Sequence, residues 1–515
     1  TAGGTRALVL TLAHVIGRVA PLYSDLEALS NELLTEMEML AGLQRSKMQN
    51  LEQWMVAVGE LPAQVVAWRQ QADEGGLLAQ HQSQIDALQG FLTRLQRILK
   101  ERWEDVLAAY QISLETPENL TTFREKATFV EFLVRRVYAA WRFYKERFDQ
   151  RLGVDELHKR FLDVADEVAW SAYRVCIDQA EVLGTITDRQ RFKQPPLLHF
   201  QDSASPVIYA RSRRALIPNV PVHIIDMPYY EASTAWSLLA IHHEVAHGLV
   251  QDLGLDAGTA VLLQGDEVGL ASARRARWRL WAEEILADCM AVLLAGPPFV
   301  RELMDVLFGV DPGHPERGDA PHPPPFLRIP MACTFVRTLE ADRPRLAGRL
   351  ADDQADRIYG DLAERYTEMW QALHVQVDVA PFQPYLAEMD QMLTLLMDTP
   401  LMGIQPHTLR QLGSFTPGDW RLVRRVAEDY LAEGETSGEA IKPRLTISAA
   451  RIAFDQLQAR GAGPDQLETL HEHTLETVET YAEKGTRALM PGEEDFLQDL
   501  AEAFASQPPA LTEWE

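Results

Sequence analysis

Apolar residues recur at steps of three and four over most of this chain, which is the spacing of one face of an α-helix. One such run extends from Leu26 to Leu40, and another extends from Ile85 to Val106. Runs of this length predict long helices with coiled-coil-like seams. We therefore expect residues 5–190 to be helical, and the pattern predicts helices again for residues 331–505.

The pattern changes between residues 195 and 228, where short β-rich stretches are separated by proline. Leu197–Phe200, Pro206–Ala210 and Pro221–Met227 are predicted to be strands. No other part of the sequence favours strands as clearly. The predicted fold class is therefore mainly α (α+β), with a small β-sheet flanked by long helical regions.

Length and pattern together predict three regions, because 515 residues are too many for a single small core. The first is a helical region at residues 1–190. The second, at residues 191–335, contains the predicted strands. The third is a C-terminal helical region at residues 336–515.

The chain is acidic, with a net charge of −26. This charge disfavours nucleic acid and anionic membrane surfaces as partners, and the sequence contains no apolar segment that predicts a membrane span. Its three cysteines, Cys176, Cys289 and Cys333, are scattered and predict no disulfide framework. A reducing compartment fits such cysteine usage best, so a cytoplasmic location is predicted.

Residues 233–254 read STAWSLLAIHHEVAHGLVQDLG and are predicted to form one helix. Ser233 or Thr234 can cap the start of this helix, and Gly254 can end it in a left-handed conformation. The stretch contains the pattern H-E-x-x-H. This pattern is the first candidate in the chain for a chemical function.

His243 and His247 lie four residues apart and therefore point from the same face of the predicted helix. Two imidazoles at this separation can bind one metal ion, and Glu244 lies close enough to act as a base beside it. Two nitrogen ligands, an open position for water and a neighbouring base are what a zinc hydrolase requires. We therefore predict one zinc ion at this helix.

A third ligand is predicted on a second helix, where residues 281–288 read WAEEILAD. Glu284 and Asp288 share one face of that helix. A carboxylate ligand followed by a carboxylate that orients a ligand histidine is an arrangement that metal sites use. Glu284 is therefore preferred as ligand over Glu267, which has no such companion, and over Glu283, which is expected to face another direction.

These motifs resemble those of a known class of enzymes. HEVAH followed by E-x-x-x-D resembles the gluzincin zinc metallopeptidases, and the form E-x-x-A-D resembles more narrowly the HtpX-like and CAAX prenyl endopeptidase group. Residues 322–329 read HPPPFLRI, which is similar to that group's H-P-P-x-x-x-R-I segment. The resemblance covers residues 195–335, and the flanking regions match no family that the motifs suggest.

The resemblance implies a substrate-binding strand. In gluzincins a small sheet precedes the H-E-x-x-H helix, and its edge strand pairs with the peptide substrate. Strand addition recognises the peptide backbone, which suits a peptidase. The residues implied for this edge are Val222, His223, Ile224, Ile225 and Asp226.

The resemblance also implies that His322 and Arg328 act in the cleft, on a proline-rich segment at residues 309–330 that is predicted to be a loop. His322 is the candidate donor to the oxyanion that forms during attack. Arg328 is expected to fix the loop or a substrate carbonyl. The alternative is that Arg328 pairs with a structural carboxylate and that His322 caps a turn.

The sequence therefore predicts a zinc-dependent endopeptidase that acts on a protein or peptide. In this hypothesis His243, His247 and Glu284 hold the ion, Glu244 is the base, and Asp288 orients one of the histidines. Two alternatives stay open. One is a zinc hydrolase of a non-peptide amide, and the other is a helical scaffold or regulatory protein with a non-catalytic metal site.

Overall fold

The computed structural model of the chain describes most of the sequence. The described residues are 2–72, 78–116, 119–153, 156–186, 194–201, 207–209, 221–264, 269–316, 321–341, 358–413, 415–432, 440–482 and 493–506. Glu267, the rival third ligand, lies outside these ranges.

The N-terminal part is helical, as its periodicity predicts. Its helices are α1 (Ala2–Gly59), α2 (Leu61–Ala72), α3 (Gln82–Glu115), α4 (Leu120–Gly153) and α5 (Glu156–Val182). The run from Ile85 to Val106 lies on α3, and most of its apolar side chains are buried. The run from Leu26 to Leu40 lies on α1, where its apolar side chains are exposed.

A three-stranded sheet follows these helices. Its strands are β1 (Gln194–Gln201), β2 (Val207–Tyr209) and β3 (Val222–Pro228), in the order β1-β3-β2. The pairing of β1 with β3 is parallel, and that of β2 with β3 is antiparallel. All three strands coincide with the stretches predicted from the sequence, so the mainly α class with a small sheet is confirmed.

The order of the strands overturns one prediction. Val222–Asp226 lies in β3, which is the central strand and is buried along its whole length. Its backbone is already paired on both sides, so it cannot accept a further strand. The residues that were expected to form the substrate-binding edge are therefore internal: Val222, His223, Ile224, Ile225 and Asp226.

The other α-helices of the described chain follow the sheet. They are α6 (Ile241–Asp252), α7 (Leu255–Leu262), α8 (Ser272–Ala295), α9 (Pro298–Leu307), α10 (Pro325–Ala341), α11 (Ile358–Leu373), α12 (Gln383–Asp398), α13 (Leu409–Leu412), α14 (Pro417–Leu431), α15 (Pro443–Ala459), α16 (Pro464–Thr480) and α17 (Glu493–Ser506). Within the described ranges, no helix is both long enough and apolar enough to cross a membrane.

The proline-rich segment is only partly a loop. Helix α10 begins at Pro325 and continues through Pro330, whereas the prediction placed a loop as far as residue 330. Proline at the first helical position is favourable, because its missing N–H has no intrahelical partner there in any case. As a consequence Arg328 lies in the first turn of a helix, and His322 lies in the loop before it.

Backbone contacts group the chain into two units. The first holds Thr1–Gln64, Leu92–Trp141 and Ala505–Glu515, and the second holds Val65–Phe91 and Arg142–Phe504. These units do not coincide with the three regions expected from the sequence. Helix α5, strands β1 and β3 and the helices from α6 to α16 share one apolar core in the second unit. The predicted zinc ligands all belong to this second unit.

Candidate metal centre

Helix α6 carries the H-E-x-x-H motif. It begins at Ile241, after a 3-10 helix at Ala235–Ala240, and not at Ser233 or Thr234 as predicted. The predicted end is confirmed, because Gly254 has a φ of 69° in the left-handed region. The motif therefore occupies the first two turns of a short helix that is otherwise largely buried.

Helix α8 packs directly against α6 and brings the third ligand to the histidines. Val245 and Ala246 of α6 are fully buried, as are Leu286 and Ala287 of α8. The apolar residues between the polar ones are thus in the core, and the contact between the two helices brings His243, His247 and Glu284 to one place.

Three side chains converge where the two helices meet. The Nε2 atoms of His243 and His247 lie 3.1 Å apart. Glu284 Oε2 lies 3.4 Å from Nε2 of His243, and Glu284 Oε1 lies 3.4 Å from Nε2 of His247. The structure thus brings together the three residues that the sequence proposes as zinc ligands.

These separations fit a tetrahedral metal ion. Zinc bonds nitrogen and oxygen at about 2.0–2.1 Å, so two ligand atoms of one tetrahedron lie about 3.3 Å apart. The separation of the two histidine nitrogens is close to this value, and each oxygen of Glu284 lies close to it from one of the two histidines. Within the described chain, Glu284 Oε2 is also buried without a hydrogen-bond partner, which is costly for a carboxylate oxygen. A cation bound by this oxygen would remove that cost.

Asp288 lies behind His243, as the sequence predicts for the carboxylate that orients a ligand. Its Oδ1 is 2.9 Å from Nδ1 of His243. Arg328 donates two hydrogen bonds to the same carboxylate, from Nε at 2.9 Å and from Nη2 at 2.7 Å. Arg328 is buried and its Nη2 lies 3.7 Å from Glu284. Arg328 therefore pairs with a buried carboxylate, which is the alternative that the sequence left open for it.

Glu283 has a role that the sequence did not predict. Its Oε1 lies 3.6 Å from Nδ1 of His247, so each histidine has a carboxylate at its outer nitrogen. Glu283 was expected to face away because it is adjacent to Glu284 on the helix. No signal in the sequence assigns this contact, since it depends on how α8 is rotated against α6.

His322 lies at the rim of the site. Its Nε2 is 3.3 Å from Oε1 of Glu284, and 58% of its side chain is exposed. The loop before α10 thus brings His322 next to Glu284, one of the candidate ligands. A partly exposed imidazole beside the ligands can reach a group that enters from solvent.

The remaining predicted residues lie elsewhere. Nε2 of His223 is 3.0 Å from Asp252, in the buried core. Asp226 accepts hydrogen bonds from Arg147 and lies 2.9 Å from Nδ1 of His199.

Burial and neighbouring charges act in opposite directions on the pKa values of His243 and Glu284. Burial lowers the pKa of His243, but the hydrogen bond and charge of Asp288, together with Glu284, outweigh it and raise that pKa to about 10. Burial also raises the pKa of Glu284, yet His243, His247 and Arg328 together hold it below its usual range. A metal ion at this cluster would therefore have to compete with a proton on His243.

A cavity of about 270 Å³ opens beside this site. It is lined by Arg277 and Trp281 of α8 and by His314 and His322 of the loop before α10. The guanidinium of Arg277 lies 5.8 Å from the centre of the Trp281 ring. Sites for whole small molecules usually measure about 300–1,000 Å³, so this cavity is suited to a single side chain.

A second group of possible ligands contains His81, Asp163 and Asp166. Here a cation is already supplied by Arg151, which lies 3.1 Å from His81 and donates two hydrogen bonds to Asp166. Burial, followed by the charge of Arg151, lowers the pKa of His81 to about 3. This group is a buried ion pair, and the centre between α6 and α8 is the better candidate for a metal.

No family model, curated protein or solved structure matches this chain.

Proposed function

We propose that this protein is a zinc-dependent endopeptidase. The observation that carries the proposal is the meeting of His243, His247 and Glu284, whose ligand atoms lie within 4.8 Å of one another. Glu244 extends from the same helix turn as the two histidines. The order of H-E-x-x-H, E-x-x-A-D and H-P-P-x-x-x-R-I along the chain supports the same proposal.

The residues around the proposed zinc site have roles that follow from their contacts. The zinc ion, when bound, would polarise the scissile carbonyl and lower the pKa of a coordinated water. Asp288 lies 2.9 Å from Nδ1 of His243, and its charge favours a proton on that nitrogen, which leaves Nε2 free as a ligand. The charge of Glu283, 3.6 Å from Nδ1 of His247, favours the same tautomer there more weakly. Arg328 keeps Asp288 ionised and fixed in position.

Glu244 is the proposed base. It follows His243 directly, is half-buried, and its charge acts on Arg328. A carboxylate at this position can accept a proton from the attacking water and pass it to the leaving amine. His322 then supplies a donor to the oxygen of the scissile carbonyl as negative charge develops on it.

An extended peptide is the proposed substrate. Among the described strands, β2 is the edge that contacts α6, so it replaces β3 as the candidate for pairing with a substrate backbone. The cavity beside His322 has room for one side chain of such a peptide. The three cysteines are free and buried, which suits the cytoplasm as the proposed location.

The test compares substrates on the metal-loaded and metal-depleted protein. Quenched fluorescent peptides of two to ten residues and a set of small acyl amides are offered to both forms. We expect peptide cleavage that increases with length, disappears on chelation and returns with one equivalent of zinc. Cleavage of the small amides alone, or stoichiometric zinc without any hydrolysis, would contradict the proposal.

A further inference from the structure

The first half of helix α1 carries an exposed apolar seam. From residue 8 to residue 33, large apolar residues recur at alternating steps of four and three. Each of these side chains is between 51% and 68% exposed. The seam comprises Leu8, Leu12, Val15, Val19, Leu22, Leu26, Leu29 and Leu33.

This seam has the repeat of a coiled coil. A step of 3.5 residues that is sustained over three to four heptads indicates a helix that packs along its whole length against another helix. In the part of the chain that the structure describes, no element covers the seam, since all its members are exposed. A single exposed leucine is ordinary, but a continuous apolar row of this length marks an interaction surface.

We propose that a second copy of this chain packs on the seam and forms an antiparallel two-stranded coiled coil. In an antiparallel pair, each a position of one helix faces a d position of the other helix. Leu12, Val19, Leu26 and Leu33 are a positions, and the other four seam residues are d positions. Here Leu12 faces Leu29 of the other copy, and Val19 faces Leu22. Leu33 likewise faces Leu8, and the remaining layers follow the same register, so that no seam residue is left over. A two-fold axis generates this pairing, as in most homodimers.

Charges beside the seam favour this direction. Arg18 and Asp25 hold equivalent positions of consecutive heptads, on the same flank of the seam. The antiparallel register places Arg18 opposite Asp25 of the second copy, twice by symmetry. A parallel pair would instead place Arg18 beside Tyr23 and Asp25 beside Ser30, without an ion pair. Flanking charges of this kind set the partner and orientation of coiled coils.

Sedimentation of the full chain tests whether the seam pairs two copies. Wild type is expected to be a dimer that dissociates on dilution. Leu22→Glu places two charges in the central layers and should give a monomer, with its helix content checked by circular dichroism. Leu34→Glu is the matched control, because Leu34 is 56% exposed on the same helix but lies outside the seam, and it should remain dimeric.

Two further variants test the direction. Arg18→Asp should weaken the dimer, and the double variant Arg18→Asp/Asp25→Arg should restore it. A spin label on Asn31→Cys is selective because the three native cysteines are buried. The antiparallel pair separates two such labels by about 30 Å along the helix axis, whereas a parallel pair places them at one level. A monomeric wild type, a dimer that survives Leu22→Glu, or labels at one level would overturn the proposal.

Discussion

Asp288 Oδ1 lies 2.9 Å from Nδ1 of His243, and the same carboxylate receives two hydrogen bonds from Arg328. The cluster therefore fixes which nitrogen of His243 faces Glu284. It also keeps two buried carboxylates from repelling each other, because the guanidinium lies 3.7 Å from Glu284 as well. A loop that carried Arg328 could not hold it as firmly as the first turn of α10 does.

Asp288→Asn is expected to lower zinc affinity by about 10- to 100-fold, because the amide no longer fixes the His243 tautomer or neutralises Arg328. Competition with a chromogenic chelator measures this affinity. Asp398→Asn is the matched control, since Asp398 also accepts two hydrogen bonds from an arginine but lies on the exposed end of α12. Unchanged zinc affinity in Asp288→Asn would contradict the orienting role.

Glu284→Ala is expected to lose most of the zinc, because it removes the charged ligand that faces both histidines. Glu283→Ala should retain zinc with affinity reduced by about tenfold, since Glu283 only supports His247 from its outer nitrogen. Elemental analysis after dialysis separates the two. Loss of zinc from Glu267→Ala, with Glu284→Ala unaffected, would show that the ligand assignment is wrong.

His322→Ala is expected to lower kcat by about a hundredfold or more, because a preorganised donor to a developing oxyanion typically contributes about 2.7–4 kcal/mol. Zinc content and Tm should stay at the wild-type values, since His322 is largely exposed. His314→Ala is the control, as it lines the same cavity without contacting Glu284. Activity within a few-fold of wild type, or loss of zinc together with activity, would refute this role.

Glu302 makes stability depend on pH. Burial raises the pKa of Glu302 to about 7 from an ordinary value of 4.5. The positive charge of Arg451 beside it acts to lower this pKa, whereas the nearby carboxylates act to raise it further: Asp305, Asp455 and Glu231. As the pH rises, the Glu302 carboxyl group therefore loses its proton at a lower pH in the unfolded chain than in the folded chain. The contribution of Glu302 to stability is complete below pH 4.5 and is lost as the pH rises through 7.

Glu302→Gln should remove this dependence. Relative to wild type, the variant is expected to gain up to about 3 kcal/mol between pH 5 and pH 8. Urea unfolding at the two pH values measures the difference, and Glu428→Gln, at an exposed position, is the control. A wild type that becomes more stable relative to Glu302→Gln as the pH rises would show that the predicted sign is wrong.

Local pattern was enough to predict the three ligand candidates as a group. The spacing of His243 and His247 on one helix and of Glu284 and Asp288 on another fixes which side chains share a face. The two helices need only pack together for these faces to meet. The strand positions were also predictable, because β1, β2 and β3 are short β-rich stretches bounded by proline.

Contacts between distant segments could not be predicted in the same way. Whether β3 is central or at an edge depends on pairing with β1 and β2, which no periodicity encodes. The partner of Arg328 depends on where α10 begins, and the facing of Glu283 depends on the rotation of α8. Likewise, the run from Leu26 to Leu40 predicted a coiled-coil-like seam, but the sequence did not show that its side chains would be exposed.

The most direct test of the whole account is Glu244→Gln, measured for zinc content and peptide turnover on the same preparation. Glu244 is proposed as the base and not as a ligand, so its replacement removes proton transfer without removing a metal contact. We predict one zinc per chain in both proteins, with turnover present in wild type and lost in the variant. Turnover near the wild-type rate in Glu244→Gln, or absence of zinc from the wild-type protein, would contradict the account.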